Sequence, residues 1–382
     1  MKFTCTKRDL SHGLSIVGHA VPSRSTLPIL ANILFATDHG RLKLTATDLE
    51  IGINCWVDAE ISEEGSVTLP AKLMTEFVNS LPQGSVELTL LEESHTVNVK
   101  GGPSSANIRG MDPEEFPRID SVEEDTTPIQ IGATLLKEVI GQVTFAASDD
   151  ISRPALTGVM LQASEEKITF AAADSFRLAV RGVPLALSSP PKEQILVPAK
   201  TMGELARILP EEGEVQILVT TNRSQILFHT ENIDLLSRLI EGTFPNYEQI
   251  IPKEHTTCAV INTQEFAGAM KSASLFARDD ANRTYFTLRG GVGEEPESQG
   301  SLLIEAHAED VGGGEMPISA QVSGPEQEMK IVFNAHYLVQ VLAALDTPEI
   351  SLELTKESKP GVIRPVGATD FIYVLMPMSK QR

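Results

Sequence analysis

Apolar and polar residues alternate with period two along most of this chain, and the alternation gives way six times to helical spacing. The first helical window covers residues 8–20, where Leu10, Leu14 and Val17 recur beside Gly13. Further windows follow at 72–81, 134–147, 200–209, 263–276 and 336–345. Helix-stopping segments end several of them, among them Pro82-Gln-Gly84, Pro210-Glu-Glu-Gly213 and Asp346-Thr-Pro348. In the first third of the chain the alternation predicts strands at 2–6, 29–37, 41–47, 51–61, 65–70, 85–91, 96–101 and 105–110. Residues 112–117 read as a turn, 121–128 as an acidic linker, 290–300 as a mobile hairpin tip and 371–378 as a closing apolar strand.

The same order of elements occurs three times. Leu44-Thr-Ala-Thr-Asp48, Phe170-Ala-Ala-Ala-Asp174 and the degraded Leu303-Ile-Glu-Ala-His-Ala-Glu309 each end an alternating strand on an acid. A second landmark follows each one: Pro70-Ala-Lys72, Pro198-Ala-Lys200 and Asn334-Ala-His336. From Asp48 to Lys72, Asp174 to Lys200 and Glu309 to His336 the separations are 24, 26 and 27 residues. Repetition at such a period means one structural unit used three times. Domains are expected at 1–120, 128–250 and 253–382, each two helices among antiparallel strands. That is an α+β class with segregated helices rather than a doubly wound sheet.

A chain of 382 residues with 41% hydrophobic and 22% charged residues is ordinary for a globular protein of two or three domains. No apolar run approaches the ~20 residues of a membrane span, and Met1–Arg8 lacks a signal-peptide core, which places the expected site of action in the cytoplasm. Cys5, Cys55 and Cys258 are too few and too scattered for a disulfide framework, and read as buried or half-buried thiols. No Walker loop, GxGxxG, GxSxG or HExxH is present, so the residues give no catalytic centre, no metal site and no cofactor. Asp149-Asp150 and Asp279-Asp280 read as solvated loop acids, the histidines as exposed or capping groups, and Asp48 and Asp174 as turn or cap residues.

A net charge of −21 argues against nonspecific nucleic-acid binding, until its distribution is considered. The helical windows, the first taken from residue 7, hold seven of 31 basic residues and only five of 52 acids. If these helices shared one surface, an anionic polymer could lie against it and be repelled elsewhere.

Several stretches, in order and at their spacings, resemble the bacterial sliding clamps, the beta-subunit family of DNA polymerase III. They are Met1-Lys-Phe3, Ser23–Leu30, Leu44–Asp48, Pro70–Lys72, Phe116-Pro117, Ala172–Leu178, Val197–Lys200, Glu241–Tyr247 and Val374–Met378. The resemblance covers the whole chain. It implies a head-to-tail homodimer, a ring of six like domains with helices lining the hole and sheets forming the rim. The implied function is not enzymatic: a DNA-encircling processivity factor, accessory to the nucleotidyltransferase complex of DNA replication. Its implied partners are double-stranded DNA held without base readout, the polymerase III alpha subunit, a clamp loader, and other polymerases and repair proteins bearing clamp-binding peptides.

The resemblance assigns two sets of residues. Arg24, Lys72, Lys137, Arg153, Lys200 and Arg207 are expected to face DNA. Leu156, Ala173, Phe176, Arg177, Leu178, Pro245, Ile250, Val374, Met376, Pro377 and Met378, with Asn334 and Tyr337 nearby, are expected to form the partner-peptide pocket. Phe176 stands where clamps often have His, which makes one pocket edge more apolar, and Ser379–Arg382 extends past the usual ending. A repeat-built metabolic enzyme or a protein-only scaffold is the competing class. The missing catalytic constellation counts against the enzyme, and the acid-depleted helices against the scaffold.

Overall fold

A computed structural model describes residues 1–91, 94–119, 128–185, 194–220, 223–290, 300–310, 312–324 and 328–379. The expected linker at 121–128 and hairpin tip at 290–300 fall almost wholly outside those residues, as does the end of the Ser379–Arg382 tail.

Six α-helices form among the described residues: α1 Lys7–Gly18, α2 Ala71–Ser80, α3 Ala133–Val143, α4 Ala199–Ile208, α5 Thr263–Ala277 and α6 Ala335–Ala343. Five start one residue ahead of the sequence expectation. In α2, α4 and α6 the landmark alanine is the first helical residue, following Pro70, Pro198 or Asn334. The side chains of Thr6, Asn262 and Asn334 accept hydrogen bonds from first-turn N–H groups of α1, α5 and α6. The window at 134–147 ends early because a 3-10 turn, Thr144–Ala146, tightens its last residues. The expected strand at 51–61 splits into Ile51–Val57 and Glu60–Glu63, and the second piece pairs with Lys2–Thr6 in another sheet.

The chain forms two compact units, Met1–Lys137 with Glu204–Leu239, and Glu138–Gly203 with Ile240–Arg382. The first holds a five-stranded and an eight-stranded antiparallel sheet. In the larger one Ile51–Val57 of the first repeat pairs with Ile233–Arg238 of the second, Ile53 opposite Leu235. Alternation sends Phe35, Leu42, Leu44 and Ile53 inward, where Leu10, Leu14, Met74 and Val78 of α1 and α2 are also buried. Each such side chain stabilises the fold by roughly 1.5–3 kcal/mol. Gly13 permits the close approach of α1, since a Cβ there would lie 2.6 Å from Val57.

The second unit is built on a twelve-stranded antiparallel sheet. There Arg177–Pro184 of the central repeat pairs with Phe371–Leu375 of the third, Leu178 opposite Val374. Phe266, Phe286 and Phe333 fill its third-repeat core edge to face, with centroids 5.6–6.1 Å apart.

The repeated acids act as turn residues. Asp48 Oδ1 accepts from the N–H of Glu50 and Ile51, and Asp174 Oδ1 from those of Phe176 and Arg177. The third copy needs a correction. Ala306 takes the buried inward place held by Ala46 and Ala172, so Glu309 lies out of register with Asp48 and Asp174.

Of the loop-acid expectations, that for Asp280 changes and that for Asp150 holds. Asp280 is largely buried and pairs with Arg283 at 2.6 Å. Asp150 is exposed but bonded to the Ser152 hydroxyl and N–H, which, with Arg153, hold its carboxyl below the usual range. Among the described residues two histidines are at hydrogen-bond distance from carboxylates, His19 from Glu204 at 2.7 Å and His229 from Asp234 at 2.6 Å. Cys5 and Cys55 are buried and Cys258 half-buried, as expected. No helix among the described residues is long and apolar enough to cross a membrane.

Candidate functional site

The second unit gathers the expected pocket residues around one apolar floor. Leu156, Ala173, Leu178 and Val374 belong to a single buried cluster with Phe244 and Tyr247. Local structure delivers each one. A 3-10 turn, Pro154–Leu156, opens on the proline that fixes its φ and presents Leu156. Ala173 ends the strand Lys167–Ala173, the Asp174 turn follows, and Leu178 is the second residue of the return strand, beside Val374. Phe244 and Tyr247, ring to ring at 6.3 Å, pack onto the cluster from the Phe-Pro-Asn-Tyr segment.

Above this floor several apolar side chains remain in water. Phe176 is 57% exposed, Ile250 45% and Met376 38%, with Pro245 exposed beside them. The chain end is tied down: Met376 N–H donates to Phe176 carbonyl and Met378 N–H to Val332 carbonyl, both at 2.8 Å. Pro377 and Met378 are half-buried. A floor of buried hydrophobes is thus rimmed by exposed ones on a pinned backbone.

Arg177 behaves differently from a rim residue. Its side chain is only 7% exposed, pairs with Asp174 at 3.0 Å and hydrogen-bonds to Gln340. The guanidinium carbon lies 4.3 Å from the Tyr337 ring centre and 5.6 Å from that of Phe145. Burial, the largest cause, pushes the Tyr337 and Tyr373 hydroxyls up, so both stay neutral donors. Asn334 is committed as the α6 cap, accepting from His336 N–H at 2.9 Å, and reaches the site through the helix that carries Tyr337. Sequence reading missed Phe244, Tyr247, Phe145 and Gln340. The repeated Phe-Pro landmark could have found the first two.

The first repeat is filled at the corresponding position. Counting from its acid, Gly52 stands where the second repeat has Leu178. Ile119 packs against that glycine, with its Cδ1 2.6 Å from where a Cβ would stand.

The basic residues divide into two groups. Arg24 is exposed in the loop before the 3-10 turn Pro28–Ala31, and Lys137 on α3 is also exposed. Lys72 is 89% exposed with Glu76 at 4.0 Å, while Arg207 is bonded to Glu204 at 2.8 Å. Arg153 and Lys200 instead line a groove of about 770 Å3 together with Phe176, Arg177 and Tyr337. The structure thus brings two expected phosphate contacts beside expected peptide contacts.

Models of the N-terminal, central and C-terminal domains of the DNA polymerase III beta subunit match residues 1–120, 130–246 and 248–379. The chain is 32% identical over 397 residues to the beta sliding clamp of Synechocystis sp., with 99% of each covered. It is 30% identical over 387 residues to the beta sliding clamp of Bacillus subtilis, again with 99% of each. The solved DNA polymerase sliding clamp of Bacillus subtilis matches with a TM-score of 0.91 at 29% identity, over 100% of both chains. The DNA polymerase III subunit beta of Pseudomonas aeruginosa gives 0.90 at 26%, also over 100% of both.

Proposed function

The chain belongs to the DNA polymerase III beta-subunit family, the bacterial beta sliding clamps, and on that premise we propose that two copies close head to tail around duplex DNA. It is a processivity factor, an accessory subunit without catalysis of its own. Within the chain, the domains run over 1–120, 128–250 and 253–382.

One observation carries the ring. Each repeat joins the next by the same strand addition: Ile51–Val57 takes Ile233–Arg238, and Arg177–Pro184 takes Phe371–Leu375. One edge of each kind is left over. Among the described residues Ser104–Arg109 ends the five-stranded sheet, and Gly312–Ser323 is paired on one side only until Gln321. Unused complementary edges on one chain fit a heterologous contact that closes after two copies. The repeats also supply the register. Ile53 and Ala179, opposite Ala46 and Ala172, pair with Leu235 and Tyr373. Gly314, opposite Ala306, then meets the aligned Ala106 of a second copy, and Glu315 meets Ser105.

In such a ring Arg24, Lys72, Lys137, Arg153, Lys200 and Arg207 make phosphate contacts. A duplex offers about one charge per 1.7 Å, so several weak, screened contacts allow sliding without base readout. Clients, namely the polymerase alpha subunit, the loader and repair proteins, insert a short apolar peptide over Leu156, Ala173, Leu178 and Val374. Phe176, Pro245, Ile250, Met376, Pro377 and Met378 form its walls, and Arg177, Tyr337 and Asn334 its support. The site of action is the cytoplasm.

The joint is tested with Ser105→Cys and Glu315→Cys in one chain. Facing strand residues stand close enough for a disulfide. Oxidation should give a doubly crosslinked dimer of low mobility, and monomers alone would contradict the ring.

A further inference from the structure

Ten methionines and three cysteines give the chain two kinds of oxidisable sulfur. Cys5 and Cys55 are buried and Cys258 half-buried, and burial pushes all three thiols up, away from the thiolate form that peroxides attack. A thioether needs no ionisation, so for methionine exposure decides. Met74, Met160, Met202, Met270 and Met329 are buried, and the others are half-buried except Met376, which is 38% exposed. The most exposed sulfur residue therefore stands above the apolar floor. It is held there: the Met376 N–H donates to the Phe176 carbonyl at 2.8 Å, directly after the strand Phe371–Leu375. The floor residues Leu156, Ala173, Leu178 and Val374 carry no side-chain donor, and Arg177 is already committed to Asp174 and Gln340.

We propose that Met376 is a reversible oxidation site through which a hydroperoxide lowers client-peptide affinity. The inference rests on the peptide-pocket reading above. A lone pair on the Met376 Sδ attacks the outer peroxide oxygen, the O–O bond breaks, and that oxygen stays on sulfur as the sulfoxide. Its proton passes to the other oxygen, which leaves as water or an alcohol, so sulfur is oxidised by two electrons and the peroxide reduced by two. Two thiols reverse the step through a sulfoxide reductase, giving the thioether, a disulfide and water. In the free protein, water satisfies the new acceptor. A client residue covering Met376 removes that water and leaves the oxygen over an apolar floor without a donor, which weakens binding. Conversely, a bound client covers Met376 and shields it from the peroxide.

The test treats the intact protein with hydrogen peroxide. Peptide mass spectrometry follows each methionine, and anisotropy follows a labelled polymerase-tail peptide lacking Met and Cys. Met376 should be oxidised ahead of the buried methionines, and the peptide should then bind about tenfold more weakly. Sulfoxide reductase with a dithiol should restore the starting affinity, and saturating peptide should slow oxidation at Met376. Met376→Leu, compared only with itself before and after peroxide, should show no such loss. Oxidation of Met376 no faster than of the buried methionines, or at a rate that bound peptide leaves unchanged, overturns the proposal alone. So does a Met376 sulfoxide that binds the peptide as tightly as the untreated protein, a loss the reductase does not restore, or an equal loss in Met376→Leu. If the untreated protein fails to bind the peptide, the pocket reading falls and this proposal with it.

Discussion

The Arg177 guanidinium carbon lies 4.3 Å from the Tyr337 ring centre and joins the central and third repeats through one buried cation. Its charge is met by Asp174 at 3.0 Å, whose side chain is itself only 14% exposed. Arg177→Ala leaves that carboxylate buried without its cation, so the second unit should lose about 3 kcal/mol. Arg177→Lys keeps a charge but not the donor fork that meets both Asp174 and Gln340, and should recover only part of it. Chemical denaturation followed by Tyr and Phe signals checks both variants.

Phe176 presents the opposite case, an exposed ring on a fixed backbone. Phe176→Ala should leave the unfolding midpoint unchanged and weaken a polymerase-tail peptide by about tenfold, since an apolar contact is lost only in the complex. Fluorescence anisotropy reads the affinity. Unchanged affinity would remove Phe176 from the site.

Salt dependence separates the basic residues. Arg24→Ala should lower the slope of log affinity against log salt by about 0.9, the value for one phosphate contact. Arg207→Ala should change it less, because Glu204 already holds that guanidinium at 2.8 Å. Equal effects at the two positions would contradict this ranking.

The cysteines carry a pH prediction. Burial pushes the Cys5 thiol up to about 12 and Cys55 to about 11, from an ordinary value of 9.0. Both thiols stay protonated in the fold at pH 8, so iodoacetamide should label Cys258 first in the native protein, and all three in denaturant. The unfolded chain ionises first as pH rises. The stability these neutral thiols contribute is therefore complete below about pH 9 and is lost progressively toward pH 11 to 12. Mass spectrometry of labelled peptides and unfolding at pH 8 and 10.5 check the two statements.

Much of this was legible in the chain because the deciding signals are local. Pro70-Ala-Lys72 and its copies mark helix starts through φ restriction and capping, and the Asp48 and Asp174 turns need only three residues. The closing apolar strand was legible for the same reason, since its alternation lies within one stretch, Phe371–Leu375. What stayed hidden depends on long-range contact. Gln340 meets Arg177 across 163 residues, and Ile119 fills the space over Gly52. Neither pairing has a periodicity to reveal it. Glu309 has nearly the right spacing but the wrong burial parity, which only the packed sheet displays.

The ring itself is tested most directly by topology. The protein is loaded onto nicked circular duplex by a clamp loader, washed in salt high enough to dissolve phosphate contacts, and the circle is then cut once by a restriction enzyme. A closed ring should be retained on the intact circle and released from the linear product as it slides off the ends. Equal retention on both forms, or loss from the circle in the salt wash, would contradict it.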